Sequence, residues 1–355
     1  MKHCSKIMKM VTALVAVAVF VFAIILMCRQ SGVVKEYDFG AGAYYYADIP
    51  GFEKIINDDI FVSSVPLWVH IVLFLIWGWL MFRLWGWIDK KDDFMEFKGK
   101  TVLITGGGSG IGEAMAYQYA MKGTNVILTG RRMETLEKVQ KKCFEYGVRA
   151  WCKTVDMEKS ESIDGLVKWI EAEGHVIDFL LLNAGISQRS LTLETDISVD
   201  RRLMEVNYFG GIYLVKSLKD MFIERGVHIA VVSSVSGVFG FPVRSAYCAS
   251  KHAIHGFYET IALEYPQIKT TILIPGRIHT DVSKNALDGN GKATGVMDPG
   301  QANGYDVNKC AKVAIKAISR GKHRKVIGGF DTIMVPFYKY VPCLFRLIAR
   351  NVSAR

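Results

Sequence analysis

Apolar residues fall into two long unbroken runs near the start of the chain and, from Lys100 onward, into short runs separated by amphipathic stretches. The short runs predict strands at Thr101–Thr105, Asn125–Thr129, Ala150–Val155, Phe179–Leu182, Ile229–Ser233 and Thr270–Ile274. Between and after them the spacing predicts helices at Gly112–Lys122, Met133–Tyr146 and Ala246–Glu264. Continuously apolar strands alternating with helices indicate a parallel sheet covered on both faces. The expected architecture is a single doubly wound α/β domain, whose ligand crevice lies at the carboxyl ends of the strands.

The two long runs read differently. Val11–Cys28 is 18 residues without a charge, close to the ~20 that cross a bilayer as helix. Pro66–Phe82 is equally apolar, and Trp68, Trp77, Trp79, Trp85 and Trp87 crowd its length and its C-terminal end, where Arg83 follows. Tryptophan favours the headgroup level, so both runs are expected to be transmembrane segments. A cleaved secretion signal would share the basic start of Lys2, Lys6 and Lys9, but its apolar core is usually ~7–15 residues. A buried core helix rarely needs so many tryptophans. Acidic residues dominate the segment between the runs, and lysines flank the pair on both sides, which places that segment in the lumen and the rest in the cytosol. Three regions follow: a membrane anchor over 1–91, a catalytic domain over 92–330 and a basic, aromatic tail over 331–355.

The net charge of +10 is not spread over the chain. Residues 1–100 carry eleven Lys/Arg against ten Asp/Glu, and residues 309–355 carry eleven against the single Asp331. This local excess argues against nucleic-acid binding and, interleaved with aromatic residues from Met334 to Arg350, suits an anionic membrane surface. A solvated basic tail is the alternative. The mean hydropathy of +0.20 agrees with apolar segments outside a soluble core. Cysteines 4, 28, 143, 152, 248, 310 and 343 are scattered and never in a CxxC spacing, so neither a disulfide framework nor a metal site is expected.

The chemistry is carried by four groups of residues. Thr105, Gly106, Ser109, Gly110, Ile111 and Gly112 form a TGxxxGxG turn between the first strand and first helix, where backbone N–H groups can approach a pyrophosphate. At the end of the second strand stand Gly130, Arg131 and Arg132, with no carboxylate to grip a ribose. Arg131 can pair with a 2′-phosphate, which favours NADP over NAD. Asp156 is placed for the adenine amino group, and Asn183, Ala184 and Gly185 close the fourth strand beside the cofactor. Tyr247 and Lys251 lie four apart on one helix face. The ammonium and an oxidised nicotinamide are expected to lower the phenol's pKa, making Tyr247 the proton donor in reduction. Ser234 would hold the reacting carbonyl oxygen, and Asn207 a water that relays protons to Lys251.

This constellation resembles the classical short-chain dehydrogenase/reductase family over about Phe97–Gly329. The resemblance implies a Rossmann-type fold, Asn207, Ser234, Tyr247 and Lys251 as a catalytic tetrad, and Pro275, Gly276, Ile278 and Thr280 as the loop that holds the nicotinamide carboxamide. Leu182 departs from the family, which usually has an asparagine there. The start, the Gly300–Ala311 stretch and the tail are similar to the member-7 branch of the dehydrogenase/reductase group. That likeness implies steroid, retinoid or other lipid-like carbonyl substrates at the endoplasmic reticulum, and the family likeness a possible homodimer.

The leading expectation is therefore a membrane-anchored, NADPH-dependent reductase of an apolar carbonyl, with Ser234 and Tyr247 touching substrate. One alternative reduces acyl- or alkyl-dihydroxyacetone phosphate, and another is a catalytically idle, membrane-tethered binding protein. The segment Asp281–Asp306 is expected to cover the substrate, its glycines giving it mobility. If both apolar runs span, protease added to intact microsomes should digest the catalytic domain; protection, or glycosylation at Asn351, would place it in the lumen instead.

Overall fold

The computed structural model describes residues 74–79, 81 and 95–351. Val11–Cys28 and most of Pro66–Phe82 lie outside them; residues 74–79 are helical. Among the described residues no helix is long and apolar enough to cross a membrane. The chain divides into two compact units, Met1–Asp92 and Asp93–Arg355.

In the second unit seven strands alternate with helices: β1 (Thr101–Thr105), α1 (Gly110–Ala120), β2 (Asn125–Gly130), α2 (Met133–Phe144), β3 (Ala150–Thr154), α3 (Ser160–Ala172) and β4 (Phe179–Leu182). Then come α4 (Ile197–Met204), a π-helical turn (Glu205–Phe209), α5 (Gly210–Ser217), α6 (Lys219–Arg225), β5 (Val227–Val232), α7 (Ser245–Glu264) and β6 (Ile268–Pro275). The chain continues through α8 (Pro299–Ala302), α9 (Val307–Ser319), β7 (Arg324–Ile327), α10 (Met334–Tyr340) and α11 (Pro342–Asn351). All strands are parallel, in the order β3-β2-β1-β4-β5-β6-β7. The order reverses between β1 and β4, so a crevice opens above that pair. Strand β7 was not among the expected elements: it is a four-residue edge strand beginning with two cations.

Strand alternation sends successive residues to opposite faces. Val102, Ile104, Val126, Leu128, Phe179 and Leu181 join the core under α1, α2 and α9, whereas Leu103, Ile127, Leu180 and Leu182 join the core under α3, α5 and α7. Helix α3 buries Ile163, Leu166, Val167 and Ile170, the spacing of one helix face. Helix α9 lays Ala311 and Ala314 into the core shared with Ala114 of α1, small side chains that let the two helices approach closely. At the amino-terminal edge, Phe97 stacks on Phe179 at 5.0 Å. Nearby, His228 Nε2 lies 2.8 Å from the Thr271 hydroxyl, which donates to Lys322 O, so the imidazole proton sits on Nε2. Nδ1 faces Met95 Sδ at 2.8 Å, and burial pushes this histidine down to about 3.

Within the second unit the tail packs on the rest through its aromatic residues. Phe345 is buried against Phe239 at 4.9 Å and Tyr338 at 5.0 Å, on the loop that follows β5. On α11 the positions opposite Phe345 carry Cys343 and Leu347, both exposed, with Arg346 and Ile348 beside them.

Two glycines distinguish close packing from mere backbone cost. A Cβ at Gly210 would stand 2.2 Å from Met157 O, whereas one at Gly165, inside α3, meets nothing within 4 Å. Gly210→Ala should destabilise the full chain by about 1–3 kcal/mol or more, and Gly165→Ala should stabilise it by about 0.5–1 kcal/mol, both read by denaturant unfolding in detergent.

Candidate active site

The two halves of the site are joined first by Thr105. Its buried hydroxyl donates to Leu181 O (3.4 Å) and accepts from Asn183 N (3.0 Å) and Ala184 N (3.1 Å). Asn183 Nδ2 returns two bonds, to Thr105 O (3.2 Å) and Gly106 O (3.0 Å). Asn183 therefore braces the glycine turn. A Cβ at Gly112 would stand 2.2 Å from Gly106 O, and one at Gly106, which has φ +65°, would stand 3.0 Å from Ala184 Cα. No other residue fits either place. Ser109 leads into α1 without a side-chain cap, so the N–H groups of Ile111 and Gly112 face outward at the positive end of an 11-residue helix. A cradle of main-chain donors with no side chain in the way fits a dinucleotide pyrophosphate.

The remaining proposed cofactor contacts surround that cradle. Arg131 is exposed at the end of β2, and Asp156 follows β3 half-buried, its Oδ1 accepting from Glu158 N at 3.2 Å. Thr280 reaches Gly110, where a Cβ would lie 3.3 Å from its methyl. The loop of Pro275, Gly276 and Ile278 is braced by two residues that sequence reasoning missed. Asp331 Oδ2 accepts from Arg277 N at 2.7 Å and leaves no room for a Cβ on Gly276, and Gln301 Nε2 donates to Ile278 O. Asp331 carried a readable signal, being the one acid in the basic tail.

On the other side of the crevice, Ser234 follows β5, and its hydroxyl accepts from Ser236 N at 3.2 Å. Lys251 is 4% exposed, donates to Val232 O at 2.9 Å, and lies 5.8 Å from the centre of the Tyr247 ring. Burial pushes the Lys251 amine down to about 8. The neighbouring Lys251 ammonium does not by itself lower the Tyr247 phenol. Burial raises the phenol above its ordinary value, outweighing the Ser234 hydroxyl and the Arg244 guanidinium, both of which pull it down. The phenol is therefore protonated at neutral pH, the state that a proton donor needs.

Asn207 sits in the π-helical turn rather than in regular helix. Its Oδ1 accepts from Ile186 N (2.8 Å), and its Nδ2 donates to Ile186 O (3.0 Å) and Ser250 Oγ (2.9 Å). Both Nδ2 protons are committed to clamping protein, so a water can meet this residue only at its main chain or at the second lone pair of Oδ1. Ser233 forms a second clamp: its hydroxyl donates to Lys251 O (3.3 Å) and accepts from His255 Nε2 (2.8 Å), with His255 pushed down to about 4 by burial.

A third set of residues was invisible in the sequence. Gln188 is fully buried, and its Oε1 accepts from Ala246 N (3.0 Å) at the start of α7, while Nε2 donates to Ser190 Oγ and Thr195 Oγ1. Val243 has φ +56°, a strained setting for a β-branched residue. It turns the chain into Arg244, which donates to Ser187 Oγ (2.7 Å) and, with Arg189, to Asp298 Oδ2 (3.3 and 2.5 Å). Asp298 belongs to the Asp281–Asp306 segment, which is pinned again where Leu287 N donates to Ser187 O and Leu287 O accepts from Arg189 N. The segment expected to cover the substrate is thus tied directly to the helix that carries Tyr247.

Comparison with known proteins agrees with this geometry. A mosquito protein of Anopheles gambiae, "Dehydrogenase/reductase SDR family protein 7-like", is 39% identical over 73% of this chain and 84% of its own. "Dehydrogenase/reductase SDR family member 7B" of Xenopus tropicalis is 35% identical over 69% and 82%. The crystal structure of an alcohol dehydrogenase from Thermococcus sibiricus, complexed with 5-hydroxy-NADP, shares the fold with a TM-score of 0.57 at 23% identity, over 65% of this chain and 97% of its own. The model of the "short chain dehydrogenase" family matches residues 100–291. The chain belongs to that family of oxidoreductases with a nicotinamide-dinucleotide-binding fold, in its member-7-like group.

Proposed function

We propose that the protein is an NADPH-dependent reductase of apolar, lipid-like carbonyls, acting at the endoplasmic reticulum membrane with its catalytic unit in the cytosol. The observation that carries the chemistry is the Tyr247 phenol beside the Ser234 hydroxyl, one helical turn from the buried Lys251. A bound NADPH supplies the hydride. Ser234 donates to the carbonyl oxygen and holds the charge that develops there, worth about 2.7–4 kcal/mol for one such donor. Tyr247 then delivers its proton to that oxygen, and the Lys251 ammonium favours the phenolate left behind. Asn207, Gln188 and Ser233 keep the donors in register by fixing Ile186, the start of α7 and the Lys251 main chain.

The glycine cradle supports a dinucleotide, and Arg131 supports the 2′-phosphate form. The similar Thermococcus enzyme was crystallised with an NADP derivative. Leu191, Leu193 and Ile197, all exposed, lie on the chain that follows the Arg189 anchor and suit an apolar substrate. The outward face of α11 suits a membrane surface, joining exposed Leu347 and Ile348 to Arg346. A second reading, reduction of an acyl- or alkyl-dihydroxyacetone phosphate, is favoured by the Arg189–Asp298–Arg244 cluster. Two guanidiniums there face one carboxylate, leaving positive charge for an anionic substrate group. NADPH oxidation with a panel of lipid ketones, with and without a phosphate, separates the two readings; no turnover with any of them would leave a binding protein.

Two variants test the assignment of parts. Tyr247→Phe should lower turnover by about 10²–10⁴-fold while NADPH binding is nearly unchanged, and near-normal turnover would remove Tyr247 from the donor role. Arg131→Ala should weaken NADPH, by about 1.5–3 kcal/mol, much more than NADH; equal weakening would reject the 2′-phosphate contact.

A further inference from the structure

Beneath the carboxyl ends of β4 and β5 lies an interior void of about 10 Å³, lined by Thr105, Leu182, Asn207, Gly211, Lys251 and Tyr258 among others. Counted as space open to the centre of a water molecule, that is room for one. Two polar groups meet there with hydrogen-bonding capacity to spare. The Lys251 ammonium has three protons to place, and one goes to Val232 O. Tyr258 is 1% exposed, yet its hydroxyl has no hydrogen-bond partner among the described residues. That hydroxyl lies against Gly211, where a Cβ would stand 3.3 Å from it. The Lys251 amine itself sits close to the main chain after β4, where a Cβ at Gly185 would stand 3.5 Å from Nζ. Buried hydroxyls without a partner are rare in folded proteins, and an unmet one beside a water-sized void calls for a water.

We propose that this void holds one ordered water bridging Lys251 Nζ and the Tyr258 hydroxyl, and that Tyr258 is thereby a positioning residue that keeps the Lys251 amine in its ammonium form. The water accepts a hydrogen bond from the Lys251 ammonium and completes the Tyr258 hydroxyl, in a void that Thr105 and Asn207 also line. The titratable groups that face Lys251 are Tyr247, Tyr258 and His255, all on α7. Strands β4 and β5, the π-helical turn and α5 bring no carboxylate to the void. Without a counter-charge, hydrogen bonding is what opposes the burial that pushes Lys251 down to about 8. The tyrosine is two turns beyond Lys251 on the same helix, so it answers to every shift of that helix.

The test uses the full chain in detergent, with Tyr258→Phe and, as a second route to expelling the water, Gly211→Ala. Because burial lowers the folded pKa of Lys251 below its ordinary 10.5, the unfolded chain holds a proton that the folded chain has shed between that lowered value and 10.5. Stability attributable to Lys251, read as the difference from Lys251→Met, therefore rises with pH across that window. Loss of the bridging water should move the lower edge of the window down by about one pH unit in both variants. An edge that stays in place in a folded Tyr258→Phe protein overturns the proposal. So does a Tyr258→Phe protein more stable than the parent at pH 7, because removing a hydroxyl that had no partner relieves the fold, whereas removing one bonded to water does not. The catalytic consequence rests on the reductase reading: the alkaline limb of carbonyl reduction should move down with the window. A chain that reduces no carbonyl defeats that reading alone, since the stability window still decides whether the water is there.

Discussion

The hydroxyl of Thr105 holds β1 to the start of the loop after β4, and both halves of the site depend on that junction. In a parallel sheet every strand delivers its carboxyl end to the same edge, but only where the order reverses do two neighbouring loops part and leave a crevice. Parting loops need a tie. Thr105 supplies it with three hydrogen bonds, and Asn183 returns two more across the same gap. The glycine turn is thereby fixed relative to Ala184 and Gly185, and Gly185 in turn lies against Asn207 and Lys251. Cofactor cradle and proton-handling groups share one brace.

The second determinant of the chemistry is the contest between burial and polar neighbours. Lys251 is buried and Tyr247 half-buried, and burial drives each toward its neutral form: the amine down and the phenol up. For the phenol this is the useful direction in reduction. For the lysine it opposes the role proposed for its ammonium, which is why the polar groups around its amine matter as much as the amine itself. Helix α7 carries both residues, and its start is held by Gln188 and Arg244 rather than by an ordinary capping side chain. The strain at Val243 sits at that entrance, where a change in helix position would be felt by Tyr247 first.

How much of this was legible follows from the range of each interaction. The buried strands β1, β2 and β4 are short continuous apolar runs, and a run needs no tertiary knowledge to be read. The Tyr247–Lys251 pair is a local spacing on one helix, and the glycine turn is a local pattern as well. Strand β7 escaped because an edge strand needs little apolar sequence, and Arg324-Lys325 looks like solvated chain. Gln188 escaped because its role exists only once Ala246, 58 residues away, is folded onto it. The effect of burial on Tyr247 was hidden for the same reason: sequence displays the nearby lysine but not the packing around the phenol. Asp331 lies between these cases, conspicuous as the one acid in a basic stretch yet meaningful only when Arg277 arrives beside it.

The two buried histidines carry a consequence for where such a fold can persist. His228 and His255 are held neutral, near 3 and 4, whereas in the unfolded chain they bind protons from about 6.5 downward. Below that value acid favours the unfolded chain at both positions, by about 1.4 kcal/mol per histidine for each pH unit until the folded values are reached. Neither position belongs to the proton-handling groups; one secures the far edge of the sheet and the other the underside of α7. Acid would therefore loosen the scaffold at two separate places, each a buried ring that the folded interior cannot hold as a cation.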